Sequence, residues 1–132
     1  MATLKISDLS VGDWVRWEVY DKTYDMQVSG ITDRRIYGLH DGIEYSMLLT
    51  QICSIPITAE ILEKNGFVKN GEYNEWSTGN WDDIPFIGIS LSRQSMRIKN
   101  LGTDIFLENK VVYVHQLQHA LRLAWVDKEI NL

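Results

Sequence analysis

One cysteine and two prolines are all that the chain has of either residue. A lone Cys53 cannot close an intramolecular disulfide, so no disulfide framework substitutes for a hydrophobic core. The scarcity of proline, with only nine glycines, excludes collagen-like and proline-rich architectures. No apolar run approaches the roughly 18–20 residues that span a bilayer. Positive charge is also in deficit: 13 Lys and Arg stand against 18 Asp and Glu, a formal charge of -5. Non-specific binding to nucleic acid draws on cations that displace counterions from phosphates, and this balance opposes it. Residues 1–8 lack the basic head and apolar stretch of a signal peptide. The expected setting is therefore cytoplasmic, without a membrane partner.

What remains is an ordinary globular composition, 45% hydrophobic over 132 residues. That is enough for one domain with a real core. From Trp14 to Tyr20 the residues alternate, with Val15, Trp17 and Val19 on one face and Trp14, Arg16, Glu18 and Tyr20 on the other. Period-2 alternation rich in aromatic and β-branched residues predicts a half-buried strand. A turn at Asp21-Lys22-Thr23, a return strand from Met26 to Ile31, a strand from Arg35 to Leu39 and another from Ile43 to Leu49 complete a meander. Asp41-Gly42 is its strongest hairpin signal, because a type I′ turn needs positive φ at both central residues. Gly30 and Gly38 fit bends or bulges. The whole reads as a curled antiparallel sheet, with closure into an SH3-like barrel as one option. In Ile52-Cys53-Ser54-Ile55 the cysteine reads as a small buried side chain.

Thr58 then caps a short helix that runs to Asn65. Ile57 and Leu62 hold the staple positions, and Gly66 stops the helix in left-handed geometry with Phe67 folding back. Further strands are expected at Glu72–Ser77, Ile84–Leu91, Met96–Lys99, Ile105–Leu107 and Val111–Val114. From His115 to Trp125 the period changes to 3.6, with Leu117, Ala120, Leu121 and Ala124 forming an apolar stripe. His115, His119 and Arg122 fall on the opposite side. No Ser, Thr, Asp or Asn precedes this helix to cap it, so its own first turn or a neighbouring strand must do so, with His115 or Gln118 as contributors. The fold class is α+β. Residues 1–132 form a single domain, with a β-meander at 1–54 and the helices and second strand set at 55–132.

Two constellations could carry chemistry. His115 and His119, four apart on a helix, share a face and could both reach a metal. Gln116 occupies the position where a zinc protease carries its glutamate, and an amide cannot act as the general base. The alternative function is therefore a metal-binding protein or an inactive descendant of a metal-dependent hydrolase. The other constellation is aromatic. Trp14, Trp17, Tyr20 and Tyr24 concentrate in the first sheet, and the mixed face with Arg16 has the character of an exposed binding surface. Trp14, Arg16, Trp17 and Tyr20 are the candidate binding residues. Carboxylate groupings at Asp82-Asp83 and Glu60/Glu63 read as solvated turn and helix surfaces. A Walker-type loop, a G-x-G-x-x-G turn, a zinc-ribbon cysteine pair and a G-x-S-x-G elbow are all missing.

The segment Ile55-Pro56-Ile57-Thr58 through Ile61-Leu62 to Gly66-Phe67, followed by Tyr113-Val114-His115-Gln116-Leu117-Gln118, resembles a group of small proteins. They occur in gut Bacteroides-type bacteria and in their phages and mobile elements. Ile57 stands where leucine is commoner and His119 where asparagine is frequent, which weakens the two-histidine metal reading. The resemblance implies a setting and a structural signature at Thr58, Gly66, Tyr113, His115, Gln116 and Gln118, and no activity. The expected function is a non-enzymatic binding or accessory protein of phage or mobile-element origin, with a protein partner and no cofactor.

Overall fold

The computed structural model describes residues 4–70, 75–78, 84–108 and 111–132. The start of the expected Glu72–Ser77 strand, up to residue 74, and the Asp82-Asp83 turn lie outside the described residues. The fold is α+β: two antiparallel sheets of five strands each, a short helix and a longer C-terminal one. None of the described helices is long and apolar enough to cross a membrane. The chain divides into two compact units, Met1–Ile55 and Pro56–Leu132.

In the first unit β1 (Trp14–Val19), β2 (Lys22–Ile31), β3 (Ile36–His40) and β4 (Ile43–Met47) form the meander. A 3₁₀ turn at Leu49–Gln51 then leads into β5 (Ile52–Cys53), which returns to pair with β1. The order is β4-β3-β2-β1-β5, an open sheet, so the closed barrel is not formed. Cross-strand pairing puts Val15 opposite Met26, and Ile36 opposite Met47. These four, with Val28 and Ile52, are the buried centre of the unit, joined by Leu4 and Leu9. Gly38 lies on the same face. A Cβ there would come 2.6 Å from Met47 Cε and 3.3 Å from Met26 Cβ, so a side chain would displace the end of Met47 and press on Met26. Asp41-Gly42 makes the expected two-residue turn, with φ of 51° and 78°. The first hairpin differs from expectation. The chain turns at Tyr20-Asp21 (φ 49° and 62°), and Lys22 already belongs to β2. Cross-strand pairing of Val19 with Lys22 leaves only two residues for the loop, and that forces both into left-handed geometry.

The second unit opens with α1 (Ala59–Lys64), followed by β6 (Val68–Asn70), β7 (Glu75–Thr78), β8 (Phe86–Ser90), β9 (Ser95–Asn100) and β10 (Thr103–Leu107), paired in sequence order. Thr58 Oγ1 accepts the Ile61 amide at 3.2 Å. Gly66 has φ 85°, and the Phe67 amide donates to the Leu62 carbonyl at 3.0 Å, closing α1 in the Schellman manner. The Asn65 amide group donates to the Asn131 carbonyl and accepts the Asn131 amide, both at 2.7 Å, which ties the C-terminal segment to α1. In the sheet, Trp76, Ile87, Ile89, Met96 and Ile98 share one face and are buried.

The helix α2 spans Val114–Leu123. The expected strand at Val111–Val114 is reduced to a single bridge between Tyr113 and Pro56. Helix geometry begins at Val114 itself. A side chain of the helix's own first turn makes the cap, as expected, but it is that of Gln116: its Oε1 accepts the amides of Val112 (2.8 Å) and Tyr113 (2.9 Å), the reach-back of an N3 side chain. His115 and Gln118, expected on the polar side or at the cap, are buried. Replacing Gln116 by Ala should therefore cost about 0.5–2 kcal/mol in urea denaturation, while Gln116→Glu, which keeps the acceptor, should lose less. An unchanged midpoint for Gln116→Ala would sink this account of the cap.

Candidate functional site

The core face of the first sheet continues past its buried centre. Trp17 lies opposite Tyr24, and both keep the alternation of Val15 and Met26. His40 follows Ile36 and Gly38 on β3, and Tyr45 lies opposite Gly38 on β4. Four rings from four strands thus reach one end of this face. Trp17 lies 6.0 Å from Tyr24 and 5.6 Å from Tyr45 between ring centroids, tilted 44° to each. Tyr24 meets His40 edge-on at 5.3 Å. Tilted and edge-to-face rings complement each other's quadrupoles and leave their other faces open. Together they line a recess of about 480 Å³, within the size of small-ligand pockets.

Polar groups hold these rings in place. Gln51 Oε1 accepts both the Trp17 indole N–H (3.2 Å) and the Leu48 amide (3.1 Å). One amide oxygen therefore fixes the tryptophan and the turn into β5 together. His40 Nδ1 lies 3.1 Å from the Asp25 carbonyl, and because a carbonyl only accepts, Nδ1 carries the hydrogen. Its Nε2 lies 3.4 Å from Asp41. Arg35, Ser46, Tyr20 and Leu48 complete the rim. The lining is made of ring faces with a guanidinium, an imidazole and the Ser46 hydroxyl at the edge, and it contains no carboxylate or thiol.

The four candidate binding residues do not form one surface. Trp17 and Tyr20 line the recess, the latter from the hairpin turn, where it is 93% exposed. By alternation Trp14 and Arg16 belong to the other face of β1, where Arg16 Nε pairs with Asp25 Oδ1 at 3.4 Å. Tyr24 was within reach of sequence reasoning. His40 and Tyr45 follow from the series Ile36-Gly38-His40 and Ile43-Tyr45-Met47 once the strands are put in register, while Gln51 carries no such signal. Cys53, expected to be buried, is half-buried on β5 with Sγ 3.6 Å from Glu18 Oε1.

In the second unit the structure brings His115 and His119 together, ring centroids 5.8 Å apart and edge-on. Tyr113 lies nearly parallel to His115 at 6.0 Å. A smaller recess of about 260 Å³ includes Ser77, Ser90, Ser95 and Arg97. Arg97 there is held by Asp104 through two hydrogen bonds of 2.9 and 3.1 Å. The Arg97 guanidinium keeps the Asp104 carboxyl below the usual carboxylate range. Trp76, Phe86 and Phe106 also line this recess, the first two buried and Phe106 exposed.

Burial, and then the Glu18 carboxylate, push the Cys53 thiol above its ordinary pKa. A raised pKa leaves less thiolate at a given pH, and thiolate is the reactive form. At pH 8 alkylation by iodoacetamide should be slower than for an unfolded control, and Glu18→Gln should speed it. Equal rates in the wild type and the variant would remove the proposed influence of Glu18. No protein-family model matches the chain, and neither a curated protein nor a solved structure matches it, so these residues alone carry the functional reading.

Proposed function

We propose that the chain is a non-enzymatic binding protein whose recognition site is the aromatic recess of the first unit. One observation carries this reading. Trp17, Tyr24 and Tyr45 present tilted, partly exposed ring faces around a recess of about 480 Å³, with their positions fixed from three strands and, for Trp17, by Gln51. Trp17 and Tyr24 pack in part against the buried centre of the sheet, and the rest of their ring surface faces the recess. A cup of rings open to solvent offers dispersion and quadrupole contacts at little cost in ordering, because few rotors must be frozen. Its lining holds no nucleophile–base pair, which fits binding better than turnover. The partner is a protein, and an accessory role in a phage or mobile element is the setting that the sequence resemblance supports.

Central aromatic anchors typically dominate binding energy. Affinity capture with the intact chain should recover a specific partner, and Trp17→Ala or Tyr45→Ala should weaken it by at least about tenfold while circular dichroism stays unchanged. Undiminished capture by both variants would remove the recess from the interface, and turnover of a small substrate would refute the non-enzymatic reading.

The adjacency of His115 and His119 favours one second reading, a metal ion held by the first turns of α2. Zinc added to the purified protein and followed by elemental analysis should then reach one equivalent, and His119→Ala should lose it. Substoichiometric metal in the wild type ends this alternative.

A further inference from the structure

We infer that the recess accepts an aromatic side chain flanked by a carboxylate, presented by an acidic segment of a partner protein, with Arg35 receiving the carboxylate. This rests on the reading of the recess as a binding site and adds the sign of the charge that it selects. Aromatic cups alone are ambiguous, since ring faces also attract cations. The lining resolves the ambiguity, because it contains the Arg35 guanidinium and no carboxylate. Two of the nearby acidic groups are occupied elsewhere: Asp25 pairs with Arg16 and Glu44 accepts the Ser29 hydroxyl at 2.9 Å. Asp41 stands beside His40 in the turn.

Arg35 itself has no carboxylate partner among the described residues. Its side chain makes one long contact, 3.4 Å from Nη1 to Ser46 Oγ, leaving most of its five donors for a ligand. A planar guanidinium meets a carboxylate through two parallel hydrogen bonds, which an ammonium ligand could not accept. A net charge of -5 over the whole chain does not cancel this preference, because charges beyond about one Debye length, roughly 8–10 Å, are screened. A macromolecular source is favoured by the rim. Tyr20 is 93% and Leu48 41% exposed beside the recess, an apolar border that a polypeptide flanking the anchor would cover and a small molecule would leave wet.

The test is a titration of the intact chain, followed by the indole N–H resonance of Trp17, with three blocked dipeptides, N-acetyl-Phe-Asp-amide, N-acetyl-Phe-Asn-amide and N-acetyl-Phe-Lys-amide, and with phenylacetate. The aspartyl peptide should bind at least about tenfold tighter than the lysyl one, with the asparaginyl peptide between them, and Arg35→Met should collapse the series to one affinity. Equal affinities in the wild type, all lost in Tyr45→Ala, would overturn the charge preference and leave the recess as a binding site. A preference for the lysyl peptide would overturn it as well. Phenylacetate binding as tightly as the aspartyl peptide would overturn the polypeptide source. If no probe perturbs Trp17 at millimolar concentration, the reading of the recess fails and the inference with it.

Discussion

Strand register is the constraint on which the first unit's surface depends. In a sheet whose side chains alternate, a slip of one residue moves every ring to the opposite face. Two-residue turns at Tyr20-Asp21 and Asp41-Gly42 permit no slip in either hairpin. With both locked, the row that begins with buried Val15, Met26, Ile36 and Met47 must end with Trp17, Tyr24, His40 and Tyr45. The core and the recess are therefore two stretches of one face. Gly38, paired with Tyr45, joins them: a Cβ there would displace the end of Met47 and press on Met26.

The second unit solves a different problem, the unpaired groups at helix ends. A helix as short as α1 has almost no stability of its own, so its ends must be satisfied by what surrounds it. Thr58 serves the first turn, and Gly66 with Phe67 serves the last. Asn65 carries the same logic beyond the helix, exchanging hydrogen bonds with Asn131 more than sixty residues on. For α2 the equivalent work falls to Gln116, whose single amide oxygen takes two backbone donors. At the other end Trp125 (φ 58°) takes the left-handed place that glycine has in α1.

Local signals carried much of this fold into view. Thr58, Gly66 and Asp41-Gly42 announce their caps and turn because each residue type suits a conformation that few others tolerate. What depends on partners distant in sequence was hidden. Nothing around Cys53 reveals that Ile52-Cys53 pairs with β1, since two residues have no readable period. Tyr20 continues the alternation of β1, and only the Val19–Lys22 pairing shows it in the turn. Val111–Val114 has strand composition, yet the Gln116 hydrogen bonds turn it into a helix entrance. The candidate site was legible as an aromatic excess, and its members were assigned to the wrong face. Trp14 and Trp17 are three apart on a strand and must diverge, while Trp17 and Tyr45 meet only through two intervening strands.

Tyr20 sharpens the case that this end of the sheet is more than surplus core. A left-handed turn position favours glycine or asparagine, and an L residue with a Cβ holds it at a cost of roughly 1 kcal/mol. Such a cost is ordinarily offset by burial of the side chain, yet Tyr20 is 93% exposed. Packing within the unit therefore offers little in return, and stability alone would select a smaller residue there. What Tyr20 does have is a place on the rim of a recess whose other rings are positioned from four strands. Its ring surface would become useful to the molecule when something covers it. The local conformational cost, the open ring faces of Trp17, Tyr24 and Tyr45, and the Arg35 guanidinium with no carboxylate partner among the described residues lie within one small area. Each is individually tolerable on a protein surface; their convergence is what a site for an incoming aromatic and anionic group requires.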